Sequence, residues 1–255
     1  MNKRLSSRMK RLSLWILAGV LDAVVAGGQA AAAPPTAVTC GSTITVPGQY
    51  RLDADCSGLG ITIAASKVHL QLDGHTLDGH TMFGNFGVGI GAVGVSNVYI
   101  QGPGTITNYD SGIGFRGVEN CHVEKVSAVN NLFGFVLVNS TATVLVNNVI
   151  STNTVAGLAL ALSSNNQLVN NVTNANRRAG IFLTNNSTGN HISGNEANNN
   201  RFAGIEVTTG SSGNDVHGNS AFGNDRFDLL DENVNCDAND WSGNQFNTAN
   251  QPCIS

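Results

Sequence analysis

Charge is scarce in this chain of 255 residues, of which Asp, Glu, Lys and Arg make up 12%. The polar remainder is Asn, Ser, Thr and Gly, which is not the composition of a charge-driven disordered protein. The length is enough for one domain with a real core. Sequence signatures of chemistry are scarce as well. There is no GxSxG, no HExxH and no P-loop, and no CxxC or Cys/His spacing of a zinc site. No cofactor is evident, no metal ligands are assigned, and calcium is left open.

What is present begins with an N-terminal address. Lys3, Arg4, Arg8, Lys10 and Arg11 precede the apolar run LWILAGVLDAVVAGG and the small-residue stretch QAAAAPP. This is the order of a secretory signal peptide over residues 1–33. Asp22 and several glycines interrupt the run and argue against an uncleaved anchor. The protein is therefore expected to be secreted or periplasmic, with no membrane attachment after cleavage. Taking five basic residues from 13 and Asp22 from 17 acidic ones leaves 8 against 16, a net of −8. So acidic a chain is a poor nucleic-acid binder and repels polyanionic glycans unless a basic patch or a cation intervenes.

Cys40 and Cys56 bracket the first segment, and Cys236 and Cys253 the last. Two short-range disulfides, one at each end, are the simplest pairing in an oxidising compartment. Cys121 is left over, and reads as a buried thiol.

The architecture follows from an internal period. Gly89, Gly112, Gly134, Gly157, Gly180 and Gly204 each precede an apolar residue, and Asp228 takes the seventh place. The steps between them are nearly equal, at about 23 residues. Four places earlier runs the column Asn108, Asn130, Asn153, Asn176, Asn200 and Asn224. A second is Asn148, Asn171, Asn195, Asn219 and Asn244. A third is Asn97, Asn120, Thr143, Asn166, Asn190, Asn214 and Asn239. Such units suit a coil of short strands and tight turns stacked at about 4.8 Å. Stacked asparagines can hydrogen-bond along the stack, and asparagine and glycine both tolerate the left-handed backbone of sharp turns.

These repeats, from about residue 60 to 248, resemble those of secreted right-handed parallel β-helix proteins, the group of NosD-like and pectate-lyase-like chains. The resemblance implies an all-β, single-stranded parallel β-helix of about 7–8 coils, with a repeat of about 23–24 residues. The expected division is an N-terminal cap at 34–60, repeats over 61–230, and a last coil with C-terminal cap at 231–255. Caps cover the raw sheet edges that invite aggregation.

In enzymes of this class, substrate lies along the outer face of one sheet. Asp110, Arg116, Glu119, His122, Glu124 and Lys125 crowd into the stretch DSGIGFRGVENCHVEK. Strand alternation points His122 and Glu124 outward, with Cys121 and Val123 inward. Asp110, Arg116, His122 and Glu124 are thus the catalytic candidates, for proton abstraction beside a sugar carboxylate or for acid–base hydrolysis; the alternative is a solvated face with local ion pairs. Arg177 and Arg201 are equivalent in adjacent coils, followed there by Asp225, with Arg178 and Arg226 one place further. Stacked arginines repel unless an anion joins them, either Asp225 or Glu206 beside Arg201, or a uronate. Arg177, Arg178, Arg201, Glu206 and Phe182 are the substrate-binding candidates.

The histidines are less telling. His75 and His80 lie beside Asp-Gly turns, and His191 and His217 follow two column asparagines at unequal offsets. One outward column reads Gly114, Val136, Ala159, Phe182, Glu206 and Leu230, and the next Arg116, Val138, Ala161, Thr184, Thr208 and Glu232. The apolar middle is a strip for a second copy, a returning terminal segment or an apolar small molecule. The paired aspartates of β-helix pectin hydrolases and the calcium cluster of typical pectate lyases are absent. Three readings follow: a polysaccharide lyase or hydrolase acting on a glycan along the outer face, a non-catalytic glycan- or surface-binding module, and an enzyme for a small apolar metabolite.

Overall fold

A computed structural model describes residues 33–79 and 87–255. The signal segment, apart from Ala33, and His80 lie outside the described residues. Residues 34–255 form one unit. Its strands pair in parallel from coil to coil, as expected of a stack.

Each coil contributes a strand to two main sheets. The longer sheet has twelve strands and the shorter nine, which makes about nine coils rather than the 7–8 expected. The extra coil comes from the first segment, whose strands Thr36–Val38, Thr43–Ile44 and Gly48–Leu52 join the two sheets. The bridges Cys40–Cys56 and Cys236–Cys253 close the two ends, and Cys121 is a buried free thiol.

The core is a set of stacked columns. In the longer sheet Leu70, Ile100, Val123, Leu145, Leu168, Ile192, Val216 and Trp241 are successive Cα partners and are buried. In the shorter sheet Ile90, Ile113, Phe135, Leu158, Ile181, Ile205 and Leu229 do the same. Each such side chain contributes about 1.5–3 kcal/mol of burial.

The repeated glycines serve close approach, not the left-handed corners expected of them. A Cβ at Gly112, Gly134, Gly157 or Gly180 would stand 2.5–2.8 Å from the carbonyl oxygen of the equivalent glycine in the next coil. Asp228 ends this column, and its buried carboxylate accepts from the Asn224 backbone and side chain and from the Asn247 and Thr248 amides.

The asparagine ladders form as expected in the later coils. Asn176 Oδ1 accepts from the backbone N (2.9 Å) and Nδ2 (3.1 Å) of Asn153, while its own Nδ2 donates to Ile150 O and Asn200 Oδ1. Two columns need correction in the earlier coils. The rung below Asn153 is the buried Asn131, which accepts from the Tyr109 amide; Asn130 and Asn108 sit one place before Asn131 and Tyr109, at φ of 57° and 61°. Likewise Asn97 and Asn120, at 56° and 54°, share the corner of Asn165, Gly189 and Gly213. The rung belongs to their neighbours Val98 and Cys121. The corner, unlike the strand, absorbs a one-residue slip. A serine ladder, Ser140, Ser163, Ser187 and Ser211, passes backbone N–H to hydroxyl in the same manner.

Candidate functional site

The longer sheet carries two outward rows, because outward side chains recur at every second position. One row holds His69, Tyr99, His122, Val144, Gln167, His191, Asp215 and Asp240 as successive partners. The other holds Gln71, Gln101, Glu124, Val146, Val169, Ser193, His217 and Ser242. Eight strands at about 4.8 Å make a face about 34 Å long. Four of the six histidines of the chain stand on it, with apolar Val144, Val146 and Val169 between two polar clusters.

The first cluster centres on Glu124. The Tyr99 hydroxyl donates to Glu124 Oε1 at 2.5 Å, Gln101 Nε2 donates to the same oxygen at 3.3 Å, and His69 Nε2 donates to Gln101 Oε1 at 2.9 Å. His69 stacks flat on Tyr99, and His122 meets the Tyr99 ring edge-on. His122 Nε2 lies 3.5 Å from Glu124 Oε2, within ion-pair reach but without the geometry of a hydrogen bond. That nitrogen is shielded from solvent and has no hydrogen-bond partner among the described residues.

The Tyr99 hydrogen bond, with Lys125 and His122 behind it, holds the Glu124 carboxyl below its ordinary value against partial burial. Burial, then Glu124, pushes Tyr99 up to about 12. The pair is therefore a carboxylate and a neutral phenol near neutral pH. Tyr99, His122 and Glu124 line an open cleft of about 400 Å³ with Asn97, Val98 and Asn120.

His122 and Glu124 are thus brought together as expected, but Asp110 and Arg116 are not with them. Arg116 ends the strand Ser111–Arg116 in the shorter sheet, and Asp110 immediately precedes that strand. The crowding is one of sequence alone, since a coil turns from one sheet to the other within a few residues. Tyr99, Gln101 and His69 give no local signal in the sequence. They come from two preceding coils, and only the strand register aligns them with His122 and Glu124.

The second cluster is His191, Asp215 and His217. His191 Nδ1 donates to Asp215 Oδ2 at 2.9 Å and His217 Nδ1 to Asp215 Oδ1 at 3.0 Å. The two rings meet edge-on with centroids 4.6 Å apart. The unequal offsets of the two histidines conceal this grouping. His191 pairs with Asp215 and Ser193 with His217, so an offset of two lands both histidines on one face. Partial burial opposes ionisation of Asp215, yet hydrogen bonds from His217 and His191 hold its carboxyl below the ordinary value.

The arginine candidates lie in the turns that lead into strands Ala179–Thr184 and Ala203–Val207 of the shorter sheet. Arg177, Arg201 and Asp225 are equivalent, since their amides donate to Asn153, Asn176 and Asn200 carbonyls. All three are exposed, and no ion pair joins Arg177 or Arg201 among the described residues. Glu206 pairs with Arg178 instead, through Nε at 3.2 Å and Nη2 at 2.8 Å. The Arg178 guanidinium lies 4.4 Å over Phe182 and 5.5 Å from Phe202, whose ring also carries Arg226 at 4.8 Å. This layer covers the later half of the apolar strip, where Glu206 is 0% exposed and Leu230 3%. The earlier half keeps a groove of about 220 Å³ lined by Val88, Val93, Val136 and Val138 with Arg116 at its edge.

Stacked parallel coils define the protein as a parallel β-helix, with two polar clusters on the outer face of one sheet. The chain belongs to the NosD family: the family model described as periplasmic copper-binding protein (NosD) matches residues 47–254. No curated protein matches the chain. Among solved structures it is similar to the Dettilon tailspike protein (gp208), at 18% identity and a TM-score of 0.60, over 84% of this chain and 54% of the tailspike. It is also similar to a double mutant of the periplasmic alginate epimerase AlgG, at 15% identity and a TM-score of 0.52, over 82% of this chain and 66% of the epimerase. The chain spans about half the length of the tailspike, and these likenesses show the fold alone.

Proposed function

We propose that this protein is an exported, carbohydrate-active β-helix that holds a linear glycan along the outer face of the longer sheet. The observation that carries this reading is the Tyr99–Glu124–Gln101–His69 network beside an open cleft. Its carboxylate, phenol and amide suit sugar hydroxyls, and the straight face suits a polymer. The family's periplasmic description and the two disulfides support export. The net charge of −8 after loss of the signal segment favours a neutral glycan over a polyuronate.

Hydrolysis by paired carboxylates needs a second acid about 5–9.5 Å away, and Glu124 is the one acid among the described residues that line the cleft. Proton abstraction needs a C–H acidified by an adjacent sugar carboxylate, so it would apply to a uronic glycan whose charge a bound cation offsets. On such a uronate His122 would take the C5 proton once Nε2 turns out of its covered position, and Tyr99, held protonated, would give its proton to the glycosidic oxygen as the C4–O bond breaks.

A panel of neutral and uronic glycans tests the proposal. The wild-type chain is expected to bind a neutral linear glycan, and Tyr99→Ala and Glu124→Gln to weaken binding about tenfold, or about 1.4 kcal/mol. An unsaturated product from a uronic glycan would add turnover. Binding indifferent to both substitutions, or none across the panel, would sink the reading.

A second reading, metal binding, is favoured by the copper-binding description of the family together with the paired imidazoles of His191 and His217. Such an ion would supply Lewis acidity and a coordination point for oxygen ligands.

A further inference from the structure

The later cluster on the same sheet face has the makings of a site in its own right. His191, Asp215 and His217 each offer one donor atom, and these atoms lie within 4.8 Å of one another. They come from two neighbouring strands, His191–Ser193 and Asp215–His217, held in register by the parallel ladder. Their side chains are 39%, 47% and 41% exposed, so the group opens to solvent at the end of a rigid stack.

We infer that His191, Asp215 and His217 form a three-ligand, solvent-open site for a divalent first-row transition-metal ion. The nature of the ion rests on the second reading above; the choice of residues rests on this chain's own geometry. Imidazole nitrogen with carboxylate oxygen is a donor set for copper(II), nickel(II) or zinc(II), and is too small and too nitrogen-rich for calcium, which takes six to eight oxygens.

The spacing fits as well. The nitrogen–oxygen separations of 2.9 and 3.0 Å, one to each oxygen of Asp215, are each close to the edge between ligands at right angles when bonds are about 2.0–2.1 Å long. A metal can take the place of the two Nδ1 protons once side-chain rotation draws together the three donor atoms, which lie within 4.8 Å of one another. Each neutral imidazole then gives up its Nδ1 proton and takes one at Nε2. Three protein ligands leave at least one position for water or a ligand oxygen, the arrangement of a working site and not of a closed structural one. Asp240 stands next in the row, as the partner of Asp215, and adds negative charge on that side.

The site lies about 14 Å along the sheet from His122, three strand steps away. A ligand about three sugar units long could touch both, but the metal site does not depend on one.

Calorimetric titration of the full chain with copper(II), zinc(II) and calcium(II), with copper(II) electron paramagnetic resonance alongside, tests the inference. One transition-metal ion per chain is expected, with nitrogen coupling in the copper(II) spectrum and no calcium(II) competition. His191→Ala and His217→Ala should each weaken binding about tenfold or more, while His75→Ala, which removes a half-buried histidine paired with Asp55, should leave it unchanged. Circular dichroism and thermal melting of each variant establish that the coil is intact. Binding that survives both His191→Ala and His217→Ala overturns the site while leaving metal binding by the chain standing. Absence of saturable copper(II) or zinc(II) binding by the wild-type chain overturns both.

Discussion

At the scale of single residues, the same amino acid does opposite work according to which way one bond turns. Asn131 is a buried rung, and Asn130 beside it is an exposed corner with φ of 57°. Arginine shows the same division: Arg178 is engaged by the fully buried Glu206, while its neighbour Arg177 has no ion pair among the described residues. Removing Arg178 would leave a buried carboxylate without its partner, the costly way to break such a pair. Glu124 allows a prediction with a sign. Its carboxyl is held below the ordinary glutamate value of 4.5, so the stability it contributes is complete above that value and fades as pH falls through the lowered one. Thermal denaturation from pH 7 to pH 3 should show an acid-side loss in the wild type that is smaller in Glu124→Gln. Identical acid profiles would mean that the Tyr99–Glu124 bond adds nothing to folding.

At the scale of the element, the coil is held by ladders running perpendicular to its strands. Each buried asparagine satisfies a backbone N–H of the coil before it, and each such bond contributes about 1 kcal/mol net. The cost of an orphaned buried donor is larger, about 1–3 kcal/mol. Asn176→Ala takes the acceptor from the Asn153 amide and side chain, and is expected to cost about 2–4 kcal/mol in urea denaturation. Asn130→Gly, at an exposed left-handed corner, should change stability by no more than about 0.5 kcal/mol. If the two variants were equally damaging, the assignment of Asn131 and not Asn130 to the rung would be wrong. The ladder columns after Asn153 are legible in the sequence, because there each coil keeps the same spacing between rung and glycine. The earlier columns are not. One residue fewer between Asn131 and Gly134 shifts the frame, and nothing in the spacing says which asparagine turns inward.

At the scale of the whole molecule, a stack of coils has two vulnerable ends and a middle protected on both sides. Asp228 and Asp231 help to finish the far end. Asp231 follows Val207 in a column of core side chains, and its carboxylate accepts from Asn233, Asn239 and the Trp241 indole. Disulfides with separations of 16 and 17 residues pin both ends, and each is expected to contribute about 3 kcal/mol. Reduction should therefore speed hydrogen exchange in residues 34–60 and 231–255 while the strand Leu158–Ala161 keeps its protection. Uniform loss of protection along the chain would show a single cooperative unit with no separable ends.

The amino-acid sequence by itself determined the coil. A near-constant period with apolar and asparagine columns in register admits stacked parallel strands and little else. The end cysteines and buried Cys121 follow from the same reading. Tertiary structure alone decided the sites. Tyr99 with Glu124, His191 with His217, and Arg178 with Glu206 are each contacts between one coil and the next. Sequence spacing shows which coil a residue belongs to. Which of its neighbours it meets depends on how the corners turn, and a corner can take up one residue more or less without disturbing the strands on either side.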